Sequence, residues 1–166
     1  MSIRILENSI SKNDLQNIRN MFYSNTFAWY LQLGVNTIGD GYTQFCHTFY
    51  SNFNQNSQNF ITLKPIIDLL NPLSIIRVKA NLLTKTDKII KHGLHTDQGF
   101  KCSTAIFYLN TNNGFTEFED GTKVLSEENK LVIFDNFLKH TGTSCTDKNE
   151  RIVINFNYIE RLKKDE

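Results

Sequence analysis

The stretch from Ser74 to Ile159 restricts the fold of this chain more than any other part. It breaks repeatedly into short runs of β-branched and aromatic residues separated by turn signals. The predicted strands are Ser74–Leu83, Gly93–Asp97, Ser103–Asn110, Thr116–Glu119, Lys123–Leu125, Lys130–Asp135 and Arg151–Ile159. The turns between them include Asn112-Asn113-Gly114, Asp120-Gly121 and Thr146-Asp147-Lys148-Asn149. Many short strands at this spacing point to a sandwich, jelly roll or barrel. The last run is the most informative. Ile152, Ile154, Phe156 and Tyr158 fall on one face, while Arg151, Val153, Asn155 and Asn157 fall on the other. The second face either meets water or lines a polar pocket.

The segment before Ser74 is expected to buttress that β-rich part. Ser11 can cap a helix in which Leu15, Ile18 and Phe22 recur at helical spacing, with Asp14 in the first turn. A second helix is predicted from about Thr62 to Leu70, with Pro65 in its first turn and Asn71-Pro72 as its stop. Phe27–Leu33 and Tyr42–Tyr50 have strand composition, and the polar run Asn52–Asn59 is expected to be a mobile loop of the kind that often covers a site. The 166 residues suggest one domain over 1–166, with helical and strand support over about 1–73 and a β-core over about 74–160. The expected class is therefore mainly β with flanking helices.

Charge and composition narrow the partners. A net charge of +1 and the lack of a Lys/Arg stripe disfavour a broad nucleic-acid surface. No apolar stretch is long enough to span a membrane, and no secretory leader is evident, so a cytoplasmic location is expected (the host cytoplasm if the source is viral). Cys46, Cys102 and Cys145 are scattered and odd in number, which suggests free thiols. Abundant Asn, Ile, Lys and Phe suit an A/T-rich genome and say nothing of chemistry.

The candidate chemistry centres on His95-Thr96-Asp97. On a strand, residues two apart share a face, so both side chains can reach one ion. Alone this triplet is weak and is equally a surface turn. His140, which follows the apolar run Leu131-Val132-Ile133-Phe134, is the best third ligand. Two His and one carboxylate leave open positions on a metal, the arrangement of non-haem Fe(II) oxygenases. Arg151 then becomes a seat for a distal carboxylate, because its forked donors can grip one bidentately. His92 is an alternative ligand, or a surface histidine beside Lys91. His47 is either a substrate contact or structural. Trp29 and Tyr30 fit a core or rim better than a substrate platform, and the tail Arg161–Glu166 is expected to be solvated.

From about Ser74 to Tyr158 the sequence resembles the 2-oxoglutarate/Fe(II)-dependent oxygenase superfamily, and within it the prolyl 4-hydroxylase-like branch with its small phage and microbial members. The resemblance is carried by His95-Thr96-Asp97, Ile106-Phe107-Tyr108-Leu109-Asn110, Gly114-Phe115-Thr116-Glu117-Phe118, Leu131-Val132-Ile133-Phe134-Asp135, His140, and Arg151 with its strand. It implies a double-stranded β-helix, the jelly roll of cupin-like proteins. His95, Asp97 and His140 would hold Fe(II). Arg151 and Tyr108 would hold the far carboxylate of 2-oxoglutarate, with Asn155 assisting. The usual Tyr on the strand before the His-x-Asp motif is replaced by Leu83, and Asn81 is the candidate to contribute instead. Val153 replaces a common Ser. The implied reaction hydroxylates an unactivated carbon with O2, releasing succinate and CO2, with ascorbate as a candidate reductant. An amino-acid or peptidyl substrate, proline first, follows from the branch. The alternatives are a nucleic-acid base demethylase of the same superfamily and a non-catalytic or isomerase-like metal-binding cupin.

Overall fold

The computed structural model describes residues 3–161. In chain order these form β1 (Arg4–Leu6), α1 (Lys12–Phe22), β2 (Tyr30–Leu33), β3 (Thr43–Ser51), β4 (Asn54–Gln55), a 3-10 turn (Gln58–Leu63), α2 (Lys64–Leu70) and β5 (Pro72–Thr84). The second half gives β6 (Ser103–Tyr108), β7 (Phe115–Phe118), β8 (Lys123–Leu125), β9 (Lys130–Asp135), β10 (His140–Gly142) and β11 (Glu150–Glu160). Among the described residues no helix is long and apolar enough to cross a membrane. The tail expectation lies outside them from residue 162 onward.

The strands make two sheets that face each other across the site. The large sheet runs β1-β9-β6-β11-β5-β3-β2, with β4 paired to β3. The small sheet runs β10-β7-β8. All pairings are antiparallel. This is the jelly-roll architecture expected from the strand count. β11 is central, lying between β5 and β6. Its Ile152, Ile154, Phe156 and Tyr158 enter the main core, beside Phe49, Val78, Ala80 and Phe107.

The helices close the outer face of that core. Ser11 caps α1 by accepting the Asp14 amide at 3.1 Å, and Leu15, Ile18 and Phe22 are the buried positions. The α2 helix ends where Asn71 turns left-handed at φ 43°, which frees Pro72 to begin β5. A smaller cluster on the inner face joins the two sheets through Ile106, Tyr108, Phe118, Val124, Val132, Phe134 and Val153.

Three expectations change. Gly93–Asp97 is not a regular strand but an extended segment held to β10 by an isolated bridge at His95–His140, with a second bridge, Lys91–Thr143, just before it. Isolated bridges do not make the continuous ladder that defines a strand. The polar run at 52–59 is not a loose loop over the site. Asn52 and Phe53 both have positive φ, 51° and 61°, and turn β3 tightly into β4. Strand composition at Phe27–Ala28–Trp29 does not produce pairing, because the ladder with β3 starts at Tyr30. Instead Phe27 and Trp29 pack as aromatic core against Phe22. The cysteines are free and buried.

Because Ile154 is fully buried in the central strand, Ile154→Ala should destabilise the fold by about 2–5 kcal/mol. Urea unfolding checks this through a lower midpoint at unchanged slope.

Candidate active site

The polar face of β11 looks into a cavity of about 230 Å³ between the sheets. Register sets its floor. Arg151, Val153, Asn155 and Asn157 pair with Leu83, Asn81, Lys79 and Arg77 of β5. All of these except Asn157 line the cavity, together with His92, His95, Asp97, Ile106, Thr116 and His140. The second face of β11 therefore meets a pocket rather than bulk water.

His95, Asp97 and His140 converge. One potential ligand atom from each lies within 4.8 Å of the others. The cause is local pairing: His95 and His140 exchange both backbone hydrogen bonds at 3.0 Å, which sets their rings 4.7 Å apart. The Asp97 side chain is 5% exposed and held from two sides. Asn157 donates to Oδ2 at 3.0 Å, and the Arg77 guanidinium meets Oδ1 at 3.1 Å. Arg77 also donates through Nε to Asn157 Oδ1 at 3.0 Å, which closes the clamp. The following loop is pinned by buried Asn136, which accepts from the Gln98 amide and donates to the Gln98 carbonyl.

This environment sets protonation. Burial opposes ionisation of Asp97, but Arg77, His140 and the Asn157 bond outweigh it and hold the carboxyl below its usual range. Burial pushes His140 down to about 4 against the pull of Asp97. A neutral imidazole beside an ionised carboxylate is the state a metal requires of its ligands. A divalent ion fits this donor set.

At another part of the wall Arg151 is 3% exposed and has no carboxylate partner among the described residues. Its Nε donates to Ser126 Oγ at 2.7 Å, and a terminal nitrogen reaches Thr116 Oγ1 at 3.4 Å. The guanidinium also lies 5.7 Å from the Tyr108 ring centre. Gly114 makes this placement possible, because a Cβ there would come within 2.6 Å of Arg151 Cδ. A buried, uncompensated guanidinium beside a cavity is a seat for an anion. Tyr108 is fully buried, and its hydroxyl donates to Thr116 at 2.8 Å. It packs behind the arginine rather than lining the cavity. Asn155 does line it, and its Oδ1 is buried without a partner among the described residues. Asn81 lines it as well and accepts from Cys46 Sγ at 3.3 Å.

The remaining histidines separate. His92 is not a surface residue: it is 7% exposed, lines the cavity, and has no hydrogen-bond partner on either ring nitrogen among the described residues. Its ring rests against the edge of Tyr42 because residues 34–42 fold over it. It is outside the convergent metal group. His47 lies on the opposite face of the sheet, between Phe27 and Phe49, with Nδ1 2.7 Å from the Ala28 carbonyl. Trp29 is partly buried against the core, and Tyr30 is exposed. Sequence reading missed Arg77, Lys79, Gln32 and Gln44. Only the alternation Arg77-Val78-Lys79-Ala80-Asn81 could have flagged a polar inner face on β5.

No protein-family model matches the chain, and no curated protein sequence matches it. Solved structures do. An oxidoreductase of the 2OG-Fe(II) oxygenase family from Burkholderia pseudomallei superimposes with a TM-score of 0.70 at 13% identity, over 96% of this chain and 85% of that one. A prolyl hydroxylase from Trichoplax adhaerens, in complex with a hypoxia inducible factor peptide fragment, gives 0.66 at 12%, over 95% and 83%. HygX from Streptomyces hygroscopicus, with nickel and 2-oxoglutarate bound, gives 0.60 at 10%, over 96% and 83%. At these identities the likeness is one of fold, and the chain has the fold of the 2-oxoglutarate/Fe(II) oxygenases.

Proposed function

We propose that this protein is an Fe(II)/2-oxoglutarate-dependent dioxygenase that hydroxylates an unactivated carbon. The observation that carries this reading is the pairing, in one cavity, of an open His95–Asp97–His140 group with the buried, carboxylate-free Arg151. Arg151 separates the reading from a cupin that binds metal without 2-oxoglutarate, since a buried cation has no use there without an anion to meet it.

The residues divide the work. His95, Asp97 and His140 would hold the metal, three donors of the kind used by non-haem Fe(II) oxygenases. Bound Fe(II) supplies the oxidising chemistry, coupled to conversion of 2-oxoglutarate to succinate and CO2. Arg151 takes the distal carboxylate of 2-oxoglutarate. Thr116 and Ser126 fix the guanidinium, and Tyr108 fixes Thr116 from behind. Asn155 and Asn81 offer amide groups along the co-substrate's path. Leu83, Ile106 and Val153 give that path apolar walls, which exclude water and strengthen the charge contacts. Arg77 and Asn157 keep Asp97 ionised and oriented.

The primary substrate is read as an amino-acid or peptidyl group, proline first. The sequence resemblance supports this, as does the peptide-bound prolyl hydroxylase among proteins of the same fold. Ascorbate would serve as an auxiliary reductant, and the cytoplasm is the proposed compartment.

Under anaerobic conditions, Fe(II) plus 2-oxoglutarate should give the weak visible charge-transfer band of a chelated keto acid. Absence of the band, and of succinate under O2, would overturn the reading. His95→Ala and Asp97→Ala should abolish both signals. Arg151→Met should raise the 2-oxoglutarate concentration needed for half-saturation by roughly 10- to 150-fold, the loss expected for a hydrogen bond between charged groups. Asn157→Leu, which removes one arm of the Asp97 clamp, should weaken Fe(II) or Co(II) affinity by roughly 10- to 100-fold in a direct metal titration.

A further inference from the structure

Three cationic side chains line the cavity, Arg77, Lys79 and Arg151, against the single carboxylate of Asp97. Arg77 is committed to Asp97. On the proposed function, Arg151 is committed to the distal carboxylate of 2-oxoglutarate, and with the divalent metal and the dianionic co-substrate both counted the cavity keeps a net positive charge. Lys79 is then left over. Its ammonium donates to Gln32 Oε1 at 2.8 Å, and it has no carboxylate within ion-pair distance among the described residues. Gln32 Oε1 is shared with the Cys46 thiol at 3.2 Å, so it holds the lysine without neutralising it.

The placement of Lys79 is specific. It stands on the inner face of β5, opposite Asn155 of β11 and Thr48 of β3. It is half-buried. It also lies where the cavity meets a shallow surface groove, since Gln32, Arg77 and Lys79 line both. The groove continues past Tyr30 and Thr48 to Asn56. Lys79 therefore stands at the junction of the groove and the cavity that holds His95, Asp97 and His140. A half-desolvated ammonium with donors to spare, in a pocket of excess positive charge, favours an anion and raises its local concentration.

We infer that Lys79 is a specificity residue that receives a carboxylate of the primary substrate. This rests on the cavity being an Fe(II)/2-oxoglutarate site. The carboxylate can come from the α-carboxyl of a small amino-acid derivative or from an acidic side chain in a peptide, and one experiment separates the two. Protein loaded anaerobically with Fe(II) and 2-oxoglutarate is titrated with two acid–amide pairs, and perturbation of the charge-transfer band is followed. The first pair is N-acetyl-L-proline and N-acetyl-L-prolinamide. The second is the capped dipeptides Pro-Asp and Pro-Asn.

In wild type the acid of at least one pair should bind about tenfold more tightly than its amide. The pair that shows the preference identifies the source. Lys79→Met should reduce the preference to less than about twofold, and Lys79→Arg should restore it. Equal binding of acid and amide, binding of neither, or a preference that survives in Lys79→Met overturns the inference. So does a Lys79→Met variant whose main change is a raised 2-oxoglutarate requirement, which would assign the lysine to the co-substrate. A wild type that forms no band at all removes the underlying reading of the cavity instead.

Discussion

The antiparallel pairing of β11 with both β5 and β6 is the constraint on which the rest of the structure depends. A strand between two partners has its backbone donors and acceptors satisfied, so its side chains are free to serve two unlike environments. One face of β11 is dry and fills the main core beneath α1 and α2. The other carries Arg151, Val153 and Asn155 into the cavity between the sheets, while Asn157 donates to Asp97 beside it. A one-residue slip would exchange the two faces, burying Arg151 among aromatic and aliphatic side chains and opening the core to the cavity. The hydrophobic face therefore fixes the register, and the register fixes the site.

Two kinds of buried charge follow. Asp97 is buried but answered, by Arg77 and Asn157 on neighbouring strands. Its ionisation holds because these partners outweigh the loss of water. Arg151 is buried and, among the described residues, answered only by hydroxyls and an aromatic ring. That arrangement orients the guanidinium without cancelling its charge. A protein that served only to stay folded would gain by replacing it with an apolar residue of similar volume. Its retention makes sense as a binding device, and Gly114 shows that the backbone is shaped around it.

The small sheet supplies the other half of the site at low cost in regular structure. The segment leading to Asp97 is an extended arm pinned to β10 by the His95–His140 bridge. This is enough to bring His95 beside His140 across 45 positions of sequence. The buried Asn136 then anchors the arm beyond Asp97. The segment 34–42 reaches the same region, with Tyr42 against His92 and Asn36 donating to the Gly93 carbonyl.

Much of this was legible in the chain. Local patterns of residue type, which need no knowledge of partners, determined the strand-rich class, the two faces of β11 and, through helical spacing, the helix capped by Ser11. The candidate metal-ligating residues and Arg151 stood out by residue type and order. Other features depended on which strands lie side by side, and that only the tertiary structure decided. Arg77 joins Asp97 because the register of β11 and β5 sets it against Asn157, whose amide reaches Asp97 from 60 positions away. Lys79 has no carboxylate partner among the described residues, and its neighbours across the sheet are the neutral Asn155 and Thr48. His92 is buried rather than exposed because a distant loop folds onto it, and Tyr108 supports Arg151 from behind because Thr116 stands between its hydroxyl and the cavity. Sequence patterns report the direction a side chain takes from its own strand. What it meets there is set by packing between segments far apart in the chain.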